Sequence, residues 1–404
     1  MDDAQFAELA GWIADAGLAG EGEPEMVSGF CTRAVALGLP LARGSVLIDT
    51  LHPLYEGHFF GWRADGQMTQ REYGSSREGE GAERWLRSPF YRLLQSREPL
   101  LRRRVTDESR AEFPSIADLA PDATEFVAMV HRFKAQGIIG EMDCVYSSWG
   151  TDRAEGFSDV DITDLERLVP LLALAVKSAS LTRIARTLAE TYLGRDPGRR
   201  VLAGGIMRGV ADRIESVLWF SDLRGYTRIT DTSPPEHVIP LLNDYADAII
   251  SAIHAHGGDV LKLIGDGTLA IFTAEDREQA CRAALAAAAQ ARISLAELNC
   301  RRTADGLPTT DMYLALHFGA VFYGNIGSRE RLDFTVVGPA VNEVSRIAAL
   351  CRSIEQPILL SADFAAAAGK ARERLVSVGR YALRGVSHAQ ELFTLDPTWR
   401  ERSE

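Results

Sequence analysis

Apolar residues recur at helical spacing over 6–16 and 25–37, and Gly38-Leu39-Pro40 stops the second run. Two strand-like runs follow at 45–49 and 55–62, joined by a turn at His52-Pro53. The polar, glycine-rich stretch 64–81 predicts a loop. Residues 85–94 predict a short helix beginning before Ser88-Pro89. Residues 100–105 predict a strand on which Arg102, Arg103 and Arg104 form a solvated face, with anion binding as the lesser alternative. Two more strands are expected at 125–133 and 138–148. Ser158-Asp159-Val160-Asp161 then opens a helix, with a capping serine and acids near the positive end of its dipole.

From 162 to 192 apolar residues are dense enough to cover two helical faces, among them Leu165, Leu168, Leu172, Val176, Ile184 and Leu188. Pro170 should kink or divide this helix near Leu168. Its surplus apolar surface calls for cover, from another domain or from a second copy in a parallel helix pair. Residues 193–200 break the pattern, and 201–214, with Gly204, Gly205 and Gly209, read as a coupling segment.

Beyond it, strand and helix patterns alternate. The expected elements are strand 216–222, helix 235–256, a hairpin of 259–264 and 268–273, helix 276–299, strand 311–321, helix 339–352, and strands 357–360, 374–383 and 390–395. Gly319 and Gly324 are expected to mark a bend. The fold class is α+β. A chain of 404 residues exceeds one hydrophobic core, and the punctuation divides it at 1–160, 161–214 and 215–404.

Charge and cysteine content narrow the possibilities. A net charge of −12 argues against nucleic-acid binding through a basic surface. The five cysteines form no Cys-x-x-Cys pair, and neither a zinc site nor a disulfide framework is indicated. The eight histidines read as structural or surface residues; His254 and His256, two apart, face different ways on a helix. Trp62, Trp85 and Trp149 read as core rather than pocket. The opening Met1-Asp2-Asp3 is unlike a secretory leader. The densest apolar run, 168–176, is nine residues long, against the roughly twenty a membrane helix needs. A cytoplasmic protein without a membrane span is expected.

The chemistry lies at two strand ends. One apolar run ends in Ser221-Asp222-Leu223-Arg224-Gly225, and another ends in Gly265-Asp266-Gly267. If the intervening helix lets these strands lie side by side, their carboxylates converge. Such a pair suits hard divalent cations that complete their shells with phosphate oxygens, which points to phosphoryl or nucleotidyl transfer.

Three segments, Phe220-Ser221-Asp222-Leu223-Arg224-Gly225-Tyr226-Thr227, Lys262-Leu263-Ile264-Gly265-Asp266-Gly267 and 333–346, resemble the signatures of class III nucleotide cyclases, over roughly 215–395. The resemblance implies a ferredoxin-like catalytic domain working as a homodimer with sites shared between chains. It implies that Asp222, Asp266 and the Leu223 carbonyl hold two Mg²⁺ or Mn²⁺ per site. The loop through Gly225, Tyr226 and Thr227 would cradle phosphate. Asn342 would orient the ribose, Arg346 would stabilise charge on the α-phosphate, and Arg384 would bind the triphosphate. Lys262 and Thr335 would read the purine, the lysine donating to adenine N1 and the threonine accepting from the exocyclic amine. Guanine would call for an acceptor such as glutamate instead of the lysine. Pro339 stands where the family has Asp or Asn.

The layout of 1–160, with Gly156-Phe157-Ser158-Asp159-Val160-Asp161 entering its last helix, resembles a GAF-type sensory domain, implying a small-molecule or protein signal. The expected function is conversion of ATP to 3′,5′-cyclic AMP and pyrophosphate. A guanylate cyclase and a catalytically silent nucleotide-binding scaffold are the alternatives.

Overall fold

In the computed structural model, which describes all residues except 75, 77, 120, 134–141, 385, 387, 388 and 397–404, the chain divides into Met1–Leu188 and Ala189–Glu404. The first unit opens with α1 (Asp3–Ala19) and α2 (Glu23–Ala36). A capping box of Asp2 and Gln5 starts α1, Gly20 in the left-handed region stops it, and Pro24 sits in the first turn of α2. Strands β1 (Arg43–Asp49), β2 (Gly57–Arg63) and β3 (Met68–Tyr73) follow, then α3 (Gly79–Leu86), α4 (Pro89–Ser96) and β4 (Leu100–Arg104). The unit continues through α5 (Asp107–Glu112), α6 (Pro114–Ala117), β5 (Glu125–Arg132), β6 (Cys144–Thr151) and α7 (Asp159–Leu193), whose last turn lies beyond Leu188.

The six strands pair in the order β3-β2-β1-β6-β5-β4, antiparallel throughout. One face carries Val46, Phe60, Trp62 and Trp149 into a core shared with α1, α2 and α7. The other carries Leu101, Phe126 and Tyr146 into a smaller core with Phe90, Leu93 and Ile116. Trp62 and Trp149 are thus core, as expected, while half-buried Trp85 lines a cavity of about 1270 Å³.

The loop expected at 64–81 contains β3. The helix expected at 85–94 is two helices, because Ser88 caps α4 by accepting the Tyr91 N–H at 3.0 Å and Pro89 disfavours helix in the residue before it. The strand expected at 138–148 begins at Cys144; residues 134–141 lie outside the described residues. The arginines of β4 are not simply solvated. Arg102 Nε donates to buried Glu125 at 2.9 Å, Glu125 accepts the Phe157 N–H at 2.7 Å, and Arg104 donates to the Ala154 carbonyl at 3.2 Å. Together they fasten the turn that enters α7.

Pro170 does not divide α7. Both Pro170 and Glu166, whose carbonyl loses its partner, lie on the exposed side, where water can satisfy that carbonyl. Among the described residues α7 alone has the length and apolar composition to cross a membrane. Its Leu165, Leu168, Leu172 and Val176 are buried in the core of the first unit, while Leu174 and Tyr192 remain exposed.

The second unit starts with α8 (Arg195–Leu202), where only a break was expected; Gly194 interrupts the chain and Pro197 suits the first turn of a new helix. Its strands are β7 (Ala211–Leu223), β8 (Asp259–Ile264), β9 (Gly267–Phe272), β10 (Met312–Gly327), β11 (Leu332–Val337), β12 (Ile358–Ser361), β13 (Leu375–Tyr381) and β14 (Gln390–Leu395). Its further helices are α9 (Tyr226–Thr232), α10 (Pro235–Ala255), α11 (Arg277–Ala304), α12 (Pro339–Ser353) and α13 (Ala362–Ala367). The sheet order is β13-β14-β12-β10-β7-β9-β8, with β11 also paired to β10.

Alternation along the central strands sends Val217, Trp219, Leu314 and Leu316 toward α10 and α11, and Leu218, Tyr313 and Ala315 toward α12. Each fully buried Val or Leu among them is worth roughly 1.5–3 kcal/mol, and a one-residue slip would reverse the two faces. β10 runs on as one strand through Gly319 and Gly324. Its glycines serve close approach: a Cβ at Gly324 would lie 2.2 Å from the Val210 carbonyl oxygen, and one at Gly319 would lie 2.8 Å from Ala340 Cβ on α12.

Candidate active site

Asp222 lies at the end of β7, opposite Tyr313 of β10. The expectation that β7 and β8 lie side by side is wrong, because β9 runs between them. The carboxylates still meet. Asp266 occupies the tight turn from β8 to β9, made possible by Gly265 at φ 63°, and β9 is the neighbour of β7. Asp266 Oδ2 accepts the Leu223 N–H at 3.2 Å, folding the turn back over the end of β7. Burial, then a hydrogen bond and charge repulsion from Asp222, push the Asp266 carboxyl up to about 6.

One cationic side chain reaches this pair among the described residues. Arg352, near the end of α12, forms an ion pair with Asp222, though its own side chain is 62% exposed. Sequence reasoning missed it, since nothing local links residues 130 positions apart. The loop after Asp222 is partly used within the chain: Leu223 N–H goes to Asp266, and Arg224 N–H goes to the Asp311 carbonyl at 2.7 Å. Gly225, at φ 68°, then turns the chain into α9, which leaves the N–H groups of Tyr226 and Thr227 in its unpaired first turn.

Lys262 on β8 and Thr335 on β11 are both half-buried. Lys262 Nζ donates to Oδ2 of Asp333, a residue to which the sequence assigned no role, two positions before Thr335 on β11. Its signal was spacing. Asp333 and Thr335 are two apart on a strand whose alternate residues Phe334 and Val336 are buried, so both lie on one face.

Asn342 and Arg346 lie on the exposed side of α12, whose buried side is Ala340, Val344, Ile347, Ala348 and Cys351. Pro339 occupies the first turn of that helix, where a missing N–H costs nothing. Among the described residues no hydrogen bond or ion pair engages the side chain of Asn342 or Arg346, nor does one join exposed Arg384 to the others; the Asn342 backbone carbonyl accepts from Ser345 Oγ at 2.8 Å. The structure therefore brings together Asp222, Leu223 and Asp266, places Lys262 on Asp333 of the strand that carries Thr335, and leaves Asn342, Arg346 and Arg384 facing solvent.

Two half-buried carboxylates, one with a raised pKa, and a single exposed arginine leave uncompensated negative charge. That environment fits a divalent cation. An unfolded aspartate loses its proton near 3.8, whereas Asp266 does so near 6. Raising the pH through that window therefore destabilises the metal-free fold, and a bound cation relieves the cost. Mn²⁺ should raise the melting temperature clearly at about pH 7.5 and little at about pH 5. Calorimetry showing equal shifts at both pH values, or the same shift in Asp266→Asn, would count against a metal at this pair.

Residues 210–397 match the sequence profile of the adenylate and guanylate cyclase catalytic domain. An uncharacterised protein of Mycobacterium tuberculosis is 33% identical over 218 residues, covering 53% of this chain and 39% of that protein. Adenylate cyclase 1 of Rhizobium meliloti is 28% identical over 220 residues, covering 52% of this chain and 32% of that protein. The chain thus spans less than two-fifths of the length of these relatives. The crystal structure of the adenylyl cyclase CyaB from P. aeruginosa aligns with 48% of this chain and all of that one, at 23% identity and a TM-score of 0.43.

Proposed function

We propose that this chain, whose residues 210–397 are an adenylate and guanylate cyclase catalytic domain, is an adenylate cyclase that converts ATP to 3′,5′-cyclic AMP and pyrophosphate as a homodimer. The observation that carries the reading is the pairing of Asp222 with Asp266 at one end of the sheet, Asp266 held there by the Leu223 N–H. In the reaction the ribose 3′-oxygen attacks the α-phosphorus, the bond to the bridging oxygen breaks, and pyrophosphate leaves. Asp222, Asp266 and the Leu223 carbonyl would hold two divalent cations, Mg²⁺ or Mn²⁺, whose chemistry, when bound, would be to acidify the 3′-hydroxyl and neutralise the leaving pyrophosphate.

The chain's own groups do the rest. Lys262 has three donors, so its pairing with Asp333 leaves two for the purine, and Asp333 keeps the ammonium extended toward the site. Thr335 accepts from the adenine amine. Asn342 aligns the ribose, and Arg346 stabilises charge on the α-phosphate, a form of help whose loss costs factors of roughly 10² to 10³. Tyr226 and Thr227, with Gly225, meet the phosphates, and Arg384 is the candidate for the triphosphate tail. Exposed Leu263, Ile264, Phe322 and Val337 around these strands offer apolar surface for the second copy.

Residues 1–160 are read as a GAF-like regulatory domain and 161–214 as its connector to a catalytic domain at 215–404. The strand order of the first unit and its cavity of about 1270 Å³, lined by Asp49, Tyr73, Trp85 and Tyr146, support a small-molecule signal. The ATP requirement and the long helix's buried apolar face favour a cytoplasmic setting.

One assay tests the proposal. Purified protein with Mg²⁺ or Mn²⁺ should make cyclic AMP from ATP and little cyclic GMP from GTP; nucleotide binding without product would mark a silent scaffold. Run in parallel on residues 161–404, the assay reads regulation. Equal specific activity at matched dimer concentration would reduce the first unit to an anchor, whereas a coupling of about 1–3 kcal/mol would change it roughly 5- to 150-fold.

A further inference from the structure

We propose that the second unit carries a separate binding site for a first-row divalent cation, of which Zn²⁺ is the representative, formed by His317, Glu343 and Asp363. These residues come from three elements, β10, α12 and α13, and their donor atoms lie within 4.8 Å of one another. His317 is only 3% exposed. Its Nδ1 lies 2.9 Å from Ser361 Oγ, which also accepts the Phe364 N–H at 3.0 Å. A second lone pair on that hydroxyl can take an Nδ1–H, and this tautomer leaves the Nε2 lone pair free.

Nε2 makes no hydrogen bond among the described residues, and Glu343 Oε2 stands 3.5 Å from it. Donors about 2.1 Å from a tetrahedral Zn²⁺ lie about 3.4 Å from each other, so the imidazole and the carboxylate already have the spacing of two ligands on one ion.

The surrounding groups fit the same role. Ser361 orients the imidazole, and Gln390 Nε2 donates to Glu343 Oε2 at 3.1 Å. Metal-binding histidines and carboxylates are ordinarily held by outer partners of this kind. The three residues line a cavity of about 880 Å³ that gives an ion and a completing water a way in. A nitrogen donor with two carboxylates favours Zn²⁺ or a similar ion over Mg²⁺, which seeks oxygen ligands alone. Ser361 and the histidine tautomer have no part in the reaction assigned to Asp222 and Asp266, and the inference stands apart from that reading. It bears on it at one point: Glu343 follows Asn342 directly, so an ion here would tie the first turns of α12 to β10 and α13.

The experiment uses the full chain carrying Asp222→Asn and Asp266→Asn, which removes the other carboxylate pair. Zn²⁺ is titrated against a chromophoric chelator, and Co²⁺ is added separately to read its visible absorption. One ion per chain is expected, with the intense absorption of a low-coordinate Co²⁺ ion. Adding His317→Asn, Glu343→Gln or Asp363→Asn should each weaken binding by about tenfold or more. If His317→Asn fails to fold, the two carboxylate variants decide, because neither disturbs the buried ring. No bound ion, or an affinity unchanged by both Glu343→Gln and Asp363→Asn, would overturn the proposal.

Discussion

Equal amounts of Asp222→Ala and Arg346→Ala protein, each inactive alone, are expected to recover about a quarter of wild-type cyclic AMP formation once their subunits exchange. The arithmetic follows from two-fold symmetry. If each site takes its carboxylates from one chain and its arginine from the other, a mixed dimer places both lesions in one site and leaves the second intact. About half the dimers are mixed, each with one working site in two.

The structure supports this arrangement through α12. Arg352 of that helix already reaches Asp222 of its own chain. Arg346 is six residues earlier, about 9 Å along the axis and roughly 240° around it, and it stands exposed without a partner among the described residues. Within one chain the two guanidinium groups therefore serve different places. A mixture as inactive as its parents, with exchange verified by mass, would rule out shared sites.

Changing Lys262→Glu should cut cyclic AMP formation at least about a hundredfold and raise relative use of GTP. A site built to hydrogen-bond one purine edge leaves buried polar groups unmatched when offered the other. Asp333 complicates the change, because it would then face a second carboxylate in place of the ammonium it now binds. Pairing the substitution with Asp333→Asn removes that repulsion and isolates the effect on the base. The fold should survive either way. Both side chains of the ion pair are about 40% exposed, and pairs of that kind contribute about 0–1 kcal/mol. ATP turnover that persists unchanged in the paired variant would show that Lys262 does not read the purine.

Much of this protein was legible without coordinates, where the governing interactions are local. The hairpin of β8 and β9 follows from two apolar runs flanking a Gly-Asp-Gly turn, and α12 follows from Gly338-Pro339 and the spacing of Val344, Ile347 and Cys351. The positions of Asp222 and Asp266 followed equally, because a strand end and a tight turn are properties of a few consecutive residues.

What the pattern could not supply was which strand neighbours which. A strand's period says which side chains share a face and nothing about its partner, so β9 was not expected between β7 and β8. The same gap hid every contact made across long separations. Arg352 on Asp222, Asp333 on Lys262, and Glu125 beneath Arg102 each join residues that no helical or strand period relates. Burial was a tertiary matter as well. Pro170 leaves α7 whole because the unpaired Glu166 carbonyl lies on the exposed side, and His317, read from the sequence as a structural or surface histidine, lies buried with Nε2 toward Glu343. Local chemistry determined the elements and the candidate acids. Only the packing of one element on another decided which charges meet and which stay in solvent, because the cost of a charge depends on the groups around it.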